Sequence, residues 1–256
     1  LSFWGEANGS AGGTGILINP HGAMKNVTPL WQDRWSPRLT AVLGDLAGQR
    51  FALINLYAPI DRTEREKFFD DVMRLPRPAD VPVFLGGDFN CTFDPVLDRT
   101  LRRTTSSHDS PALRILLKQW ELTDCLRPMM PLRAETERLE SFQQAFHTYH
   151  YNVDDFHVSS RLDRWYASIE AQRWVAQVDV LPTGLSDHDG VLSHLRSPSN
   201  PIRVKRPVRA YPVPPHAKSL VDASIRGALD SFGDWLEEGQ SASATAIEWD
   251  SLKRRI

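Results

Sequence analysis

Along the first 195 positions, apolar residues fall in short clusters separated by Gly, Pro and charge. Residues 14–18 (TGILI), 51–57 (FALINLY), 81–85 (VPVFL), 162–168 (LDRWYAS), 174–181 and 190–195 have the length and composition of buried strands. Two intervening segments carry helix-start signals. Thr63-Glu64-Arg65-Glu66 reads as a capping box ahead of Phe68, Val72 and Met73. Ser110-Pro111 offers an N-cap and a first-turn proline ahead of Leu113, Leu116, Leu117 and Trp120. Strands that alternate with helices predict a mixed α/β domain.

The pattern breaks at Ser197. From there to Lys218 the chain holds six prolines, five Lys or Arg and no acidic residue, a composition that predicts an extended linker. Helical spacing returns over 219–238 with Leu220, Val221, Ile225, Leu229 and Trp235. A small-residue stretch, GQSASATA, then precedes a short apolar and charged run to Ile256. The expected organisation is a globular domain over 1–196, a basic Pro-rich linker over 197–218, and a helical tail over 219–256 that opens a following region.

Composition narrows the class. A chain of 256 residues with 41% hydrophobic and 24% charged positions has the make-up of a globular protein and excludes disorder along its whole length. Its apolar runs fall far short of a bilayer span, so no membrane contact is expected. A net charge of −2 excludes a blanket DNA coat and leaves nucleic-acid binding to local basic patches. Cys91 and Cys125 are too few for a disulfide framework and lack zinc spacing. The chain opens on Leu1 with neither Met nor a signal-peptide pattern, and a fragment without its natural start is expected.

Candidate chemistry sits where predicted strands end. Gly86-Gly87-Asp88-Phe89-Asn90 sets an acid and an amide past an apolar strand, though such a turn also serves as a plain Asx-capped loop. Ser186-Asp187-His188-Asp189 suits a site in which one group holds a metal and another a phosphate oxygen, or a solvated hairpin. Asp163, in Arg161-Leu162-Asp163-Arg164, is suited to orient a histidine or to pair with a neighbouring arginine. Tyr57 closes a strand, where a phenol caps the core or donates to an anion. His147, His150 and His157 with Asp154 and Asp155 fit no standard metal pattern and read as a polar loop.

Taken in order, Asn55-Leu56-Tyr57-Ala58-Pro59, Gly86-Gly87-Asp88-Phe89-Asn90, Arg161-Leu162-Asp163-Arg164 and Leu185-Ser186-Asp187-His188 resemble the endonuclease/exonuclease/phosphatase (DNase I-like) superfamily. Residues 86–99, GGDFNCTFDPVLDR, most resemble the endonuclease domain of non-LTR retrotransposon polyproteins. The resemblance implies a four-layer α/β sandwich and a Mg²⁺ or Mn²⁺ site. It also implies that an early Asn and a metal-holding Glu precede this chain; Glu6 does not stand in their context. In the implied reaction Asp88 orients and deprotonates water, and Asn90 holds the phosphate or the water. His188, backed by Asp163, donates to a phosphate oxygen together with Tyr57, and Asp187 joins the metal. By the resemblance Thr148 lines the cleft, although a threonine in a strand more often serves the fold. Arg99, Arg102, Arg103, Arg161 and Arg164 are expected to meet the phosphates of double-stranded DNA.

A reverse transcriptase domain in cis is implied for the parent polyprotein, and nuclear action follows from the substrate. The same motifs suit an abasic-site endonuclease or a phosphatase. The missing start leaves room for an inactive nucleic-acid-binding remnant.

Overall fold

The structure, a computed structural model, describes residues 1–5, 13–100, 108–131, 136–153, 156–184, 186–199, 201–202 and 213–255. The chain begins with strands β1 (Ser2–Trp4), β2 (Gly15–Leu17), β3 (Met24–Pro29), β4 (Leu39–Leu46) and β5 (Gln49–Tyr57). Helix α1 (Arg62–Met73) leads to β6 (Val83–Asp88), α2 (Pro111–Gln119), β7 (Leu122–Asp124) and α3 (Thr136–Phe146). Then come β8 (Tyr149–Val153), β9 (Phe156–Ser160), β10 (Asp163–Ser168), α4 (Ile169–Gln172), β11 (Val175–Leu181) and β12 (Gly190–Leu195). Helices α5 (Lys218–Glu237) and α6 (Ala242–Arg255) close the chain.

The six expected strands and both expected helices form. The start of α1 differs from the sequence reading: Asp61, not Thr63, is the N-cap, and its carboxylate accepts from the Glu64 N–H. Ser110 caps α2 as expected, its hydroxyl accepting from the Leu113 N–H. Helix α6 begins inside the small-residue stretch, and the Ser2 hydroxyl donates to its Asp250 at 2.9 Å.

Six strands make the main sheet in the order β3-β4-β5-β6-β10-β7. Ala47 and Gly48, both at positive φ, turn β4 into β5 in the manner of a two-residue hairpin loop. A parallel partner needs a crossover, which α1 supplies between β5 and β6. The helices α1 and α2 bury Phe69, Val72, Leu113, Leu116 and Leu117 on one face of the sheet. On the other face Phe51, Phe84 and Ala167 meet Trp174, just ahead of β11, and Val178 of the β11–β12 hairpin, together with Phe142 of α3. The layers are therefore helices, main sheet and a second small sheet, with α3 packed against β11. Cys91 and Cys125 are buried free thiols, and burial pushes them up to about 11 and about 12 respectively, which fits inert packing residues.

Candidate active site

Strand register brings the chemistry together. Strands β5 and β6 run parallel with Tyr57 opposite Asp88, and β10 runs antiparallel to β6 with Asp163 opposite Asp88. Three adjacent strands therefore present Tyr57, Asp88 and Asp163 at one level of one sheet end.

Two glycines make the close approach possible. A Cβ on Gly87, whose φ is +134°, would lie 1.9 Å from the Leu56 carbonyl oxygen, so only glycine fits. A Cβ on Gly86 would lie 2.5 Å from the Trp165 ring, which occupies that space. The Trp165 indole N–H donates to the Val191 carbonyl at 3.1 Å and ties β12 to the sheet. The loop before β12 carries His188, and its Nδ1 lies 2.8 Å from Asp163 Oδ2.

Ligand atoms of Asp88, Asp163 and His188 all lie within 4.8 Å of one another. Burial raises the Asp88 carboxyl to about 6, and the neighbouring Asp163 carboxylate adds to the shift. His188 is held above its ordinary value, chiefly by the hydrogen bond to Asp163. The Asp163–His188 bond leaves Nε2 as the imidazole atom able to act on a substrate oxygen.

Asn90, at φ +47°, donates from its backbone N–H to Asp88 Oδ1 at 2.8 Å. Its Nδ2 donates to Asp88 Oδ2 at 3.0 Å and to the Ala58 carbonyl at 2.8 Å. In this state both amide hydrogens fix the Asp88 carboxylate and the end of β5. Tyr57 is half-buried, and the Arg38 guanidinium lies 5.1 Å from its ring centroid.

Several expected residues stand elsewhere. Asp187 is exposed and outside the cluster, its carboxylate accepting from the Ser186 hydroxyl. Thr148 is fully buried and does not line the cleft; its Oγ1 accepts from the Leu162 and Asp163 N–H groups at 3.2 and 3.1 Å, which fixes the start of β10. Arg161 and Arg164 are buried as well and cannot reach DNA. Arg161 pairs with Asp98 at 2.9 Å and Asp124 at 2.6 Å, and Arg164 pairs with Asp98 at 3.2 Å. Burial opposes ionisation of Asp98, but Arg164 and Arg161 outweigh it and hold the carboxyl down at about 2. Arg99 borders a cleft beside Asn90. Arg102, Arg103, Asp154 and Asp155 lie outside the described residues.

The other histidines gather no ligand set among the described residues. His147 is buried against the Ser159 hydroxyl and the Leu97 carbonyl, while His150 contacts His157 at 3.3 Å and Asp189 at 3.2 Å. The sequence reading did not find Asp163 as the partner of Thr148, because the buried threonine just ahead of β8 carries no local signal of what it supports. It also missed Trp165 as the anchor of β12, although its place two residues after Asp163 on the same strand face was readable.

A mixed sheet whose strand ends gather two carboxylates and a histidine defines a phosphoester-hydrolase architecture, and sequence comparison agrees. The chain belongs to the Endonuclease/Exonuclease/phosphatase family, whose profile matches residues 2–188. It is 31% identical over 148 residues to the Transposon TX1 uncharacterized 149 kDa protein of Xenopus laevis, a match over 57% of this chain and 10% of that protein. The chain thus spans about a tenth of the length of that curated relative. Among solved structures it is similar to the endonuclease domain of TRAS1, a telomere-specific non-LTR retrotransposon, with a TM-score of 0.57 and 14% identity over 78% of this chain and 81% of that one. The 3′ phosphatase NExo from Neisseria, bound to a product DNA hairpin, aligns with a TM-score of 0.53 and 17% identity over 77% and 80% of the two chains. These likenesses establish the DNase I-like fold. Among the described residues, no helix is long and apolar enough to cross a membrane.

Proposed function

We propose that this chain carries a metal-dependent endonuclease that nicks double-stranded DNA for a mobile element, and that the nick primes a reverse transcriptase encoded in the same polyprotein. The observation that carries the reading is the convergence of Asp88, Asp163 and His188 within 4.8 Å at one sheet end. Support for the mobile-element context comes from the transposon relative and the retrotransposon endonuclease fold. Such a nuclease acts on chromosomal DNA, so its place of action is the nucleus.

The donor set fits a hard divalent cation. Asp88 and Asp163 offer carboxylate oxygens to one volume, where burial, with a smaller contribution from the Asp163 carboxylate, raises the Asp88 carboxyl. Asp88 and Asp163 would hold Mg²⁺ or Mn²⁺, which supplies charge neutralisation on the phosphate when bound. Asp88, once ionised, orients an attacking water and accepts its proton. Asn90 keeps that carboxylate in place through two hydrogen bonds. His188, as the imidazolium, donates from Nδ1 to Asp163 and from Nε2 to a non-bridging phosphate oxygen. Tyr57, level with Asp88, donates to the same phosphate.

Nicking of supercoiled plasmid tests the reading. The expected result is conversion to open circles in Mg²⁺, none in EDTA, and a loss on the order of 10²- to 10³-fold in His188→Ala. Nicking that persists in EDTA or in His188→Ala overturns it.

A further inference from the structure

Beside the reaction centre, α1 and the loop after β6 enclose a cleft of about 560 Å³ bordered by Arg62, Arg65, Asn90, Arg99, Tyr149 and Tyr151. That volume lies within the range of small-ligand sites. No carboxylate lines it among the described residues.

The electrostatics of its wall are unbalanced. Arg65 is only 5% exposed, yet its guanidinium donates only to the Pro59 and Ile60 carbonyls, and its Nε is buried without an acceptor. Arg99 Nε is buried without an acceptor too. Neither side chain, nor that of Arg62, has a carboxylate within 4.0 Å among the described residues. Among the described residues the other buried guanidiniums have a carboxylate partner: Arg161 and Arg164 both meet Asp98, although Arg164 Nε also lacks an acceptor. A buried cation without a counter-charge is costly, so a cleft walled by such groups is suited to an anion. The N-terminus of α1 is already capped by the Asp61 carboxylate, so the positive wall of the cleft is made by the arginines alone.

We propose that this cleft is a second phosphate subsite, taking the phosphodiester adjacent to the scissile one on the cleaved strand, with Arg62 and Arg99 as its ligands and the buried Arg65 supplying positive charge behind them. The subsite rests on the nuclease reading for its occupant. Asn90 borders the cleft and touches Asp88 at 3.0 Å, so a strand with its scissile phosphate at Asp88 carries a neighbouring phosphate past Asn90 towards the arginines. Tyr149 packs on His188 with ring centroids 4.8 Å apart and on Tyr151 at 5.1 Å, which gives the intervening deoxyribose an apolar wall joining the two sites. The assignment moves phosphate recognition from Arg161 and Arg164, which serve the core, to helix α1.

Equilibrium binding of labelled duplex in EDTA, where no cleavage occurs, tests the subsite on the full chain. Arg62 and Arg99 stand at the rim, and their variants avoid the buried Arg65. Arg62→Ala and Arg99→Ala should each lower the slope of log K against log salt by about one, a roughly fourfold change in salt sensitivity between 50 and 200 mM. A single methylphosphonate, scanned over the linkages flanking the nick site, should weaken wild-type binding at one linkage and cost nothing further there in the double variant. Unchanged salt slopes in both variants, or a methylphosphonate cost equal in wild type and double variant, overturns the subsite. Failure of the nuclease reading looks different: the methylphosphonate coupling then persists while no chain nicks plasmid.

Discussion

Asp88 sits at a position that costs the fold stability, and Asp88→Asn exposes that cost. A carboxyl held at about 6 against an ordinary 3.8 withholds about 3 kcal/mol from the folded state at pH 7.5. The sign follows from the proton: the folded carboxyl binds it more tightly than the unfolded one, so the penalty is absent well below pH 4, grows as pH rises, and is complete above about pH 6. Asparagine removes the charge but gives up the bond from Asn90 Nδ2 to Oδ2, worth about 1 kcal/mol. The net gain of about 2 kcal/mol should raise the melting temperature by about 4–8 °C at pH 7.5 in EDTA. At pH 5 the penalty has fallen to about half, and the advantage of the variant should shrink to under about 1 kcal/mol. Mg²⁺ should then stabilise wild type and leave Asp88→Asn unmoved. Thermal unfolding followed by circular dichroism at both pH values decides the matter. A variant that melts at or below wild type at pH 7.5, or that keeps one constant advantage at both pH values, refutes the reasoning.

Other outcomes follow from the same geometry. Asp163→Asn removes the main cause of the raised His188 value, so an NMR titration should show His188 giving up its proton at lower pH than in wild type, and the alkaline limb of nicking should move with it. Burial depresses His147 to about 4, below its ordinary 6.5, so stability should fall by about 3 kcal/mol as pH drops from 6.5 to 4. Urea unfolding across that range should show a shallower slope in His147→Gln. Gly87→Ala places a Cβ against the Leu56 carbonyl and should cost more than about 3 kcal/mol, read as a lower urea midpoint with nicking abolished.

The motif-bearing strands could be read from the sequence because they are short apolar runs with glycine at the turn, as in Gly86-Gly87 before Asp88. Their meeting point could not, since it depends on the pairings of Tyr57 with Asp88 and Asp88 with Asp163 across long sequence separations. Strand β3 was missed because an edge strand holding Lys25, Asn26 and Thr28 lacks apolar alternation. The β8–β9 hairpin was read as a polar loop because its histidines and asparagine mask the strand pattern. Arg161 and Arg164 misled for a related reason: arginine beside a catalytic motif suggests DNA, and only the fold reveals Asp98 and Asp124 waiting in the core. Position Arg65 shows the converse, a residue read as part of a capping box that ends as a buried cation at a cleft.

The chain on either side of residues 101–107 is stitched into place. Thr100 exchanges hydrogen bonds with Ser159, and the His108 carbonyl accepts from the Thr92 N–H at 2.9 Å. Thr100 and His108 are thus each moored to neighbouring backbone. Arg99, the residue before Thr100, inherits that mooring through its own bridge to Ser160, so strand β9 sets its place at the cleft edge.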